Sequence, residues 1–212
     1  NKPRIPIMFD PLMVRLIGPP INWAGRNLAQ RGISANSVTV GGFLIGLGAL
    51  PALAFNAPTL ALVLVLLNRV ADGLDGAIAR ATEKTDFGAY LDIVLDFIFY
   101  AAIALGFAFL DHDNAIVVAV LVTSFIGTGA SFLAFAVIAA KRGLDTQARG
   151  NKSFFYSGGL AEGTETIVFC VLVCAQPDWF IPAATIFIAM CWITVAMRIN
   201  QARVAFGANA TS

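Results

Sequence analysis

Residues 59–110 read TLALVLVLLNRVADGLDGAIARATEKTDFGAYLDIVLDFIFYAAIALGFAFL, which is two long apolar runs joined by a short polar turn at 82–86. Each run is long enough to cross about 30 Å of hydrocarbon as a helix that rises about 1.5 Å per residue. Four aspartates interrupt these apolar runs, two on each side of the turn. The stretch therefore predicts a pair of membrane helices that carry acidic groups close to one membrane face.

The rest of the chain has the same apolar character. Of its 212 residues, 58% are hydrophobic and 13% charged, and the mean hydropathy is +0.78, which is too apolar for a soluble domain. We predict an all-α integral membrane protein that forms one membrane domain, residues 1–212, with a six-helix catalytic bundle at 36–205. The six transmembrane helices are predicted at residues 38–55, 59–80, 88–110, 115–140, 154–175 and 179–199.

Residues 1–35 are predicted to form a juxtamembrane amphipathic arm that precedes the first span. Within this arm, residues 9–31 alternate apolar side chains with three arginines, a pattern typical of helices that lie in the membrane interface. Pro19 and Pro20 are expected to break the segment in the middle, because proline removes a backbone donor from a helix. One or two N-terminal interfacial amphipathic helices are therefore expected.

Basic residues alternate along the connections between the predicted spans. Lys and Arg occur in the N-terminal arm, in the second and fourth connections and at the C-terminal end, and they are missing from the other three connections. The positive-inside bias then predicts that both termini are cytoplasmic. The net charge of +1 argues against a nucleic-acid partner, since the basic residues are already accounted for by one membrane face.

The four aspartates of residues 59–110 are spaced to converge on one patch. Asp72 and Asp75 are three residues apart, and Asp92 and Asp96 are four apart, so each pair lies on one helix face. Counting outward from the turn, Asp75 should face Asp92 near the membrane surface, and Asp72 should face Asp96 one turn deeper. Four carboxylates in this setting repel one another and are costly to insert into a membrane.

Arg69 and Arg80 can neutralise two of these carboxylates at most. Divalent cations would offset the repulsion that remains. Oxygen ligands without a Cys or His cluster select Mg²⁺, Mn²⁺ or Ca²⁺, and carboxylates that bridge two such ions form a clamp for displacement at phosphorus. Gly76 and Gly88 leave the backbone bare beside the patch, where a phosphate could approach closely. Helix capping and pairing with arginine would explain one or two of these aspartates but not all four.

These residues resemble the signature of the CDP-alcohol phosphotransferases, which is D-x-x-D-G-x-x-A-R followed by a spacer and G-x-x-x-D-x-x-x-D. Members of that family typically have six spans, with the signature on spans two and three. A weaker family element, Pro-Asn-x-x-Thr, is matched by Asn36 and Thr39 without the proline. All fixed positions of the signature are occupied, by Asp72, Asp75, Gly76, Ala79, Arg80, Gly88, Asp92 and Asp96.

The resemblance implies that an alcohol hydroxyl attacks phosphorus in a CDP-linked donor, most often CDP-diacylglycerol, and that CMP leaves. It also implies two divalent cations, Mg²⁺ or Mn²⁺, and a homodimer. We predict a bacterial inner membrane, and the charge pattern predicts that the active site lies on its cytoplasmic side. Asp72, Asp75, Asp92 and Asp96 would bind the metals, and Asp96 would in addition be the catalytic general base. The nucleotide would be held by Gly76, Ala79, Arg80 and Gly88, together with Asn36 and Thr39.

The identity of the acceptor alcohol stays open between two classes. Basic groups near the cytoplasmic ends of the later spans would suit an acceptor that carries a phosphate, although the positive-inside bias alone also explains them. Acidic groups in the same region would suit an amino-alcohol, as in a CDP-amino-alcohol phosphotransferase that acts on diacylglycerol. The candidates are the basic residues Arg149, Lys152 and Arg198, the neighbouring Ser153, and the acidic residues Glu162 and Glu165.

Two other functions are consistent with acidic membrane helices. An intramembrane prenyltransferase also uses aspartates and Mg²⁺ on a diphosphate, and Asn68-x-x-x-Asp72 resembles half of its motif. The Asp-Gly-x-x-Ala-Arg core and the small size of the chain argue against this reading. An ion-coupled carrier would place its acidic site near the membrane midplane between repeats, whereas this patch is close to the surface and no repeat is visible.

Overall fold

The computed structural model describes residues 10–143 and 159–207, with side chains from Gly18 onward. The described residues form eight α-helices and two short 3₁₀ turns, with no strand among them. The turns are His112–Asn114 and Pro177–Trp179. The helices are α1 Asp10–Gln30, α2 Ala35–Leu47, α3 Ala49–Ala54, α4 Pro58–Ala81, α5 Asp86–Leu110, α6 Ala115–Lys141, α7 Gly163–Ala175 and α8 Phe180–Gly207.

Helices α4 and α5 are joined at the predicted turn, and their ends lie within two residues of the predicted spans. Thr85 caps α5, since its Oγ1 accepts a hydrogen bond of 3.0 Å from the Gly88 backbone N–H. This bond satisfies one of the donors left free in the first helical turn. The Asp86 carboxylate adds a favourable negative charge at the same helix end.

Four helical segments are long and apolar enough to cross a membrane, which agrees with the predicted all-α membrane class. They are Ala35–Ala54, Asp86–Leu110, His112–Lys141 and Pro177–Gly207. Helix α4 is not among them because its second half carries the charged site. Helix α7 has 13 described residues, and the predicted fifth span starts outside the described part of the chain. The prediction of six spans therefore stays a prediction.

The first of these segments is interrupted between α2 and α3. Pro51 has no N–H to donate to the carbonyl of Leu47, so the hydrogen-bond ladder is broken at this point. Asn56 ends α3 with a φ of 58°, a left-handed conformation that asparagine tolerates better than most residues. Pro58 then starts α4 at a position where its missing N–H costs nothing.

Helix α1 continues through Pro19 and Pro20, so the expected break in the middle of this segment is wrong. Proline fixes φ near the helical value and removes only its own donor, so a helix can continue at the cost of those hydrogen bonds. The segment is therefore one helix. Its predicted position in the membrane interface stays a prediction.

The described chain divides into two compact units. The first combines the residues up to Leu47 with Leu64–Asp96, and the second combines Gly48–Val63 with the residues from Phe97 onward. The prediction of a single membrane domain with an arm at 1–35 stays a prediction. All the aspartates of the predicted metal site lie in the first unit.

In the first unit, α1 and α2 both pack against small residues of α4. A Cβ at Gly42 of α2 would collide with Ala71, and a Cβ at Gly25 of α1 would lie 2.5 Å from the Ala77 Cβ. Small residues at such crossings let two helix backbones approach closely. As a result, polar side chains on α1 and α2 lie close to the polar half of α4.

In the second unit, aromatic rings fill the core. Phe107 and Phe180 stack with ring centroids 4.3 Å apart, and Phe169 and Phe187 stack at 4.8 Å. All four rings are buried, and stacked aromatic pairs add to the free energy gained from burial. Thr194 anchors the segment before α7 to α8, because its Oγ1 accepts backbone hydrogen bonds from residues 160 and 161.

Candidate active site

Three of the four predicted carboxylates meet in the structure. One carboxylate oxygen each from Asp72, Asp92 and Asp96 lies within 4.8 Å of the others. The expected facing of Asp72 and Asp96 is present, but Asp72 also contacts Asp92, which was expected to face Asp75. Residues four apart on α5 are one turn apart, so a single side chain from α4 can lie between them. We call these three residues the carboxylate cluster.

Asp75 lies beside the cluster but outside it. Its side chain turns toward Thr39 of α2, and the residue is only 8% exposed. Its Oδ2 atom is buried and has no hydrogen-bond partner among the described residues. A buried carboxylate oxygen without a partner is costly, so a ligand with positive charge would stabilise this position.

Arg69 of α4 is the basic residue paired with the cluster. Its Nη2 lies 2.9 Å from Asp96 Oδ1, and its Nη1 lies 3.8 Å from Asp72 Oδ2. Arg69 was predicted as a possible counter-ion of these acids, and it lies beside them in the structure. Its side chain is 12% exposed, so the pair is better shielded from water than an ordinary surface ion pair.

Asn68 holds Arg69 in this orientation. The Asn68 Oδ1 atom accepts a 2.8 Å hydrogen bond from Arg69 Nε, and its Nδ2 donates to the Gly42 carbonyl at 3.0 Å. The amide therefore links α2 to the guanidinium that faces the cluster. Sequence reasoning missed this role, although an amide next to an arginine within an apolar run is a usable signal.

Asn36 and Gly88, both predicted to bind the nucleotide, lie against each other. A Cβ at Gly88 would lie 2.9 Å from Asn36 Oδ1 and 3.1 Å from the Thr85 Oγ1. Because Gly88 has no side chain, the Asn36 side chain of α2 can pack against the first turn of α5. Thr39, on the same helix as Asn36, contacts Asp75, so α2 also lies beside the acidic residues.

Arg80 is held by α1. Its Nη2 donates a 3.0 Å hydrogen bond to Asn22 Oδ1, and a Cβ at Gly76 would lie 3.2 Å from its Nη1. The guanidinium is exposed and so available to an anionic ligand. Ala79 is half-buried beside it. The contribution of Asn22 was missed, because a contact between residues 58 positions apart leaves no local pattern in the sequence.

The donor set fits divalent cations. The cluster supplies three carboxylates at close range, and Asp75 adds a buried oxygen that lacks a hydrogen-bond partner within residues 10–143 and 159–207. Carboxylate oxygens without thiol or imidazole neighbours are the ligands that Mg²⁺ and Mn²⁺ prefer. The assignment of metal and nucleotide roles to individual residues stays a prediction.

The predicted acceptor residues that the structure describes lie in the second unit. Glu162 and Glu165 form a capping box at the start of α7, in which each side chain accepts a hydrogen bond from a backbone N–H of the other end of the box. The Glu162 carboxylate also accepts a 2.6 Å hydrogen bond from the Gly159 N–H. These contacts give both glutamates a structural role, which sequence reasoning missed because capping boxes usually begin with Ser or Thr.

Arg198 is buried in the second unit, with 7% of its surface exposed. Its Nη1 donates a 2.9 Å hydrogen bond to the Thr128 carbonyl, and its guanidinium lies 5.4 Å from the centre of the Phe132 ring. A charged side chain that is buried within an apolar helix is rare without a functional reason. Arg149, Lys152 and Ser153 lie outside the described residues.

Comparison with known proteins gives a consistent result. The profile of the CDP-alcohol phosphatidyltransferase family matches residues 33–200. Inner membrane protein YnjF of Escherichia coli is 48% identical over 193 residues, which are 91% of this chain and 94% of YnjF. The archaetidylinositol phosphate synthase of Pyrococcus horikoshii is 39% identical over 90 residues, which are 42% of this chain and 48% of that protein.

A solved structure supports the fold. The crystal structure of Mycobacterium tuberculosis phosphatidylinositol phosphate synthase (PgsA1) with CDP-DAG bound matches with a TM-score of 0.66 and 22% identity. The match covers 91% of this chain and 98% of that chain. The family match leaves the prenyltransferase and carrier alternatives without support. This chain is therefore an integral membrane transferase of phospholipid biosynthesis that belongs to the CDP-alcohol phosphatidyltransferase family.

Proposed function

We propose that this protein transfers the phosphatidyl group of CDP-diacylglycerol to an alcohol and releases CMP. The observation that carries the proposal is the meeting of Asp72, Asp92 and Asp96 beside the buried Oδ2 of Asp75, which has no hydrogen-bond partner in the described part of the chain. This arrangement suits a diphosphate that is bound through divalent cations. The CDP-DAG bound to PgsA1 supports a CDP-alcohol as the donor.

The residues of the chain then divide the chemistry. Two divalent cations, Mg²⁺ or Mn²⁺, held by the four aspartates would neutralise the pyrophosphate and the charge on the departing CMP. Asp96, oriented by Arg69, takes the proton of the acceptor hydroxyl as it attacks phosphorus. The Arg80 guanidinium pairs with phosphate oxygens of the donor. The approach of α2 through Asn36 and Thr39 shapes the nucleotide site.

Release of CMP tests this function. We expect purified protein with Mn²⁺ or Mg²⁺ to release CMP from CDP-diacylglycerol only when a suitable alcohol is present, and excess EDTA to abolish the release. A panel of phosphorylated polyols, free polyols and amino-alcohols identifies the acceptor. CMP release that is unaffected by EDTA, or no CMP release with any alcohol and either metal, would exclude the proposed reaction.

We propose that the acceptor carries a phosphate. The two glutamates that would suit an amino-alcohol are engaged in capping α7, whereas Arg198 places a buried cation in the second unit. Two similar proteins are named for phosphatidylinositol phosphate and archaetidylinositol phosphate, which agrees with a phosphorylated acceptor. The amino-alcohol class, with diacylglycerol as the acceptor, is the alternative that the panel separates.

Replacing Arg198 by Gln should raise the acceptor KM about 10- to 100-fold, since a hydrogen bond to a charged group contributes about 1.5–3 kcal/mol. The donor KM should change little. Arg203→Gln, which removes an exposed arginine from the same helix, is the matched control and should leave both constants unchanged. Equal losses in the KM of donor and acceptor would show that Arg198 has no part in acceptor selectivity.

We also propose the membrane topology that the charge pattern predicts. Six spans, both termini on the cytoplasmic side and an interfacial α1 would place the acidic end of the α4–α5 pair at the cytoplasmic face. The name of YnjF supports a bacterial inner membrane. A homodimer is proposed from the family resemblance.

Cysteine labelling tests this topology. Cys170, Cys174 and Cys191 are all buried, so a new cysteine can be labelled against a low background. We expect His112→Cys to react with an impermeant maleimide from the periplasmic side and Lys84→Cys only after the membrane is opened. Both positions are exposed. Labelling of both cysteines from the same side would contradict the topology.

A further inference from the structure

Arg69 is in an unusual position for a residue beside a cation site. It lies within 2.9 Å of Asp96 and 3.8 Å of Asp72, two of the three carboxylates that are close enough to share an ion. The positive charge of the guanidinium interacts with the same carboxylates that a divalent cation would bind. Arg69 therefore affects the electrostatic energy of the cluster directly.

Hydrogen bonds on the side away from the acids fix the position of the Arg69 guanidinium. Asn68 is 5% exposed, and its amide is tied to the Gly42 carbonyl at one end and to Arg69 Nε at the other. Gly42 in turn packs against Ala71. Because α2, Asn68 and Arg69 form one connected chain of contacts, the arginine is held toward the acids rather than free to leave for solvent.

We propose that Arg69 is a built-in counter-ion that holds the carboxylate cluster together before a divalent cation binds and competes with that cation for Asp96. Three carboxylates within 4.8 Å repel one another, and Arg69 offsets this repulsion when no metal is bound. The same positive charge repels an incoming dication. Arg69 therefore favours folding without metal and weakens metal affinity. This inference rests on the proposed function, since it assumes that divalent cations bind the cluster.

The two effects have opposite signs, which separates them from a purely structural role. In Arg69→Gln we expect the melting temperature in EDTA to fall by at least about 3 °C. We expect the affinity for Mn²⁺, measured by electron paramagnetic resonance of free Mn²⁺ without substrate, to rise on the order of tenfold. Coulomb's law gives about tenfold for a unit charge roughly 6 Å from a dication in a water-like dielectric, and this is a lower bound because the site is partly shielded from water.

Two variants act as controls. Arg69→Lys keeps the charge, so its Mn²⁺ affinity should stay within about threefold of wild type. A change of about tenfold in this variant would overturn the inference even if Arg69→Gln cannot be purified. Arg31→Gln removes an exposed arginine of the same unit and should change neither quantity.

The outcomes are distinct. Tighter Mn²⁺ binding together with lower stability in EDTA for Arg69→Gln would support the inference. Unchanged or weaker Mn²⁺ binding in that variant, or a tenfold change in Arg69→Lys, would overturn it. Failure of the wild-type protein to bind Mn²⁺ would instead overturn the proposed metal-dependent function.

Discussion

Replacing Asp96 by Asn should lower kcat about 10²- to 10⁴-fold, which is the loss expected when a positioned general base is removed. The amide fills the same space but cannot accept the proton of the attacking hydroxyl. Asp96 is well placed for this role, since it lies in the carboxylate cluster and its Oδ1 accepts a hydrogen bond from Arg69 Nη2. Donor binding should be partly retained, because Asp72, Asp75 and Asp92 remain.

The measurement is kcat for CMP release at saturating donor and acceptor in detergent solution. The donor affinity is determined by calorimetry in the same detergent. Asp86→Asn is the matched control. It removes a carboxylate from the same helix in its first turn, where only a small effect on helix stability is expected. Retention of more than about a tenth of wild-type kcat in Asp96→Asn would rule out the general-base role.

Replacing Asp75 by Asn should have opposite effects on activity and on stability. Its Oδ2 is buried and lacks a hydrogen-bond partner among the described residues, so in the absence of metal the charge is a cost of about 1–3 kcal/mol. We therefore expect the melting temperature in EDTA to rise. Mn²⁺ affinity should fall at least about 100-fold, the upper end of what the loss of an outer-shell partner costs, and activity should fall with it.

Melting curves with and without Mn²⁺ measure both effects on the same sample. Asp178→Asn, at an exposed carboxylate in the second unit, should leave the curves unchanged. If Asp75→Asn still gained the wild-type increase in melting temperature on addition of Mn²⁺, Asp75 would not be a metal ligand. A loss of stability in EDTA would show that the contact of the carboxylate with Thr39 outweighs the cost of its unpartnered Oδ2 in the described structure.

Much of the fold follows from the sequence because it depends on local features. The apolar run of α6 is bounded by Asn114 and Lys141, and the helix ends within one residue of the prediction. The turn between α4 and α5 follows from a short polar stretch between two apolar runs. The meeting of Asp72 with Asp96 follows from their distances from that turn, whereas the contact of Asp72 with Asp92 was not predicted.

The features that sequence reasoning missed depend on contacts between distant segments. Asp75 stands apart from the cluster because α2 packs close to α4 and presents Thr39 to it, and the sequence does not specify that approach. The continuity of α1 through Pro19 and Pro20 shows that two consecutive prolines did not suffice to end this helix. The glutamates at 162 and 165 were expected to bind substrate, and their capping role depends on where α7 begins.

The central claim is that these aspartates hold divalent cations at the site of transfer. A crystal structure of the protein soaked with Mn²⁺, with anomalous data collected near the manganese edge, tests it most directly. We expect anomalous density within coordination distance, about 2.0–2.6 Å, of oxygens from Asp72, Asp92 and Asp96, with the Asp75 Oδ2 also engaged. Anomalous density elsewhere in the protein but none beside these carboxylates would contradict the account.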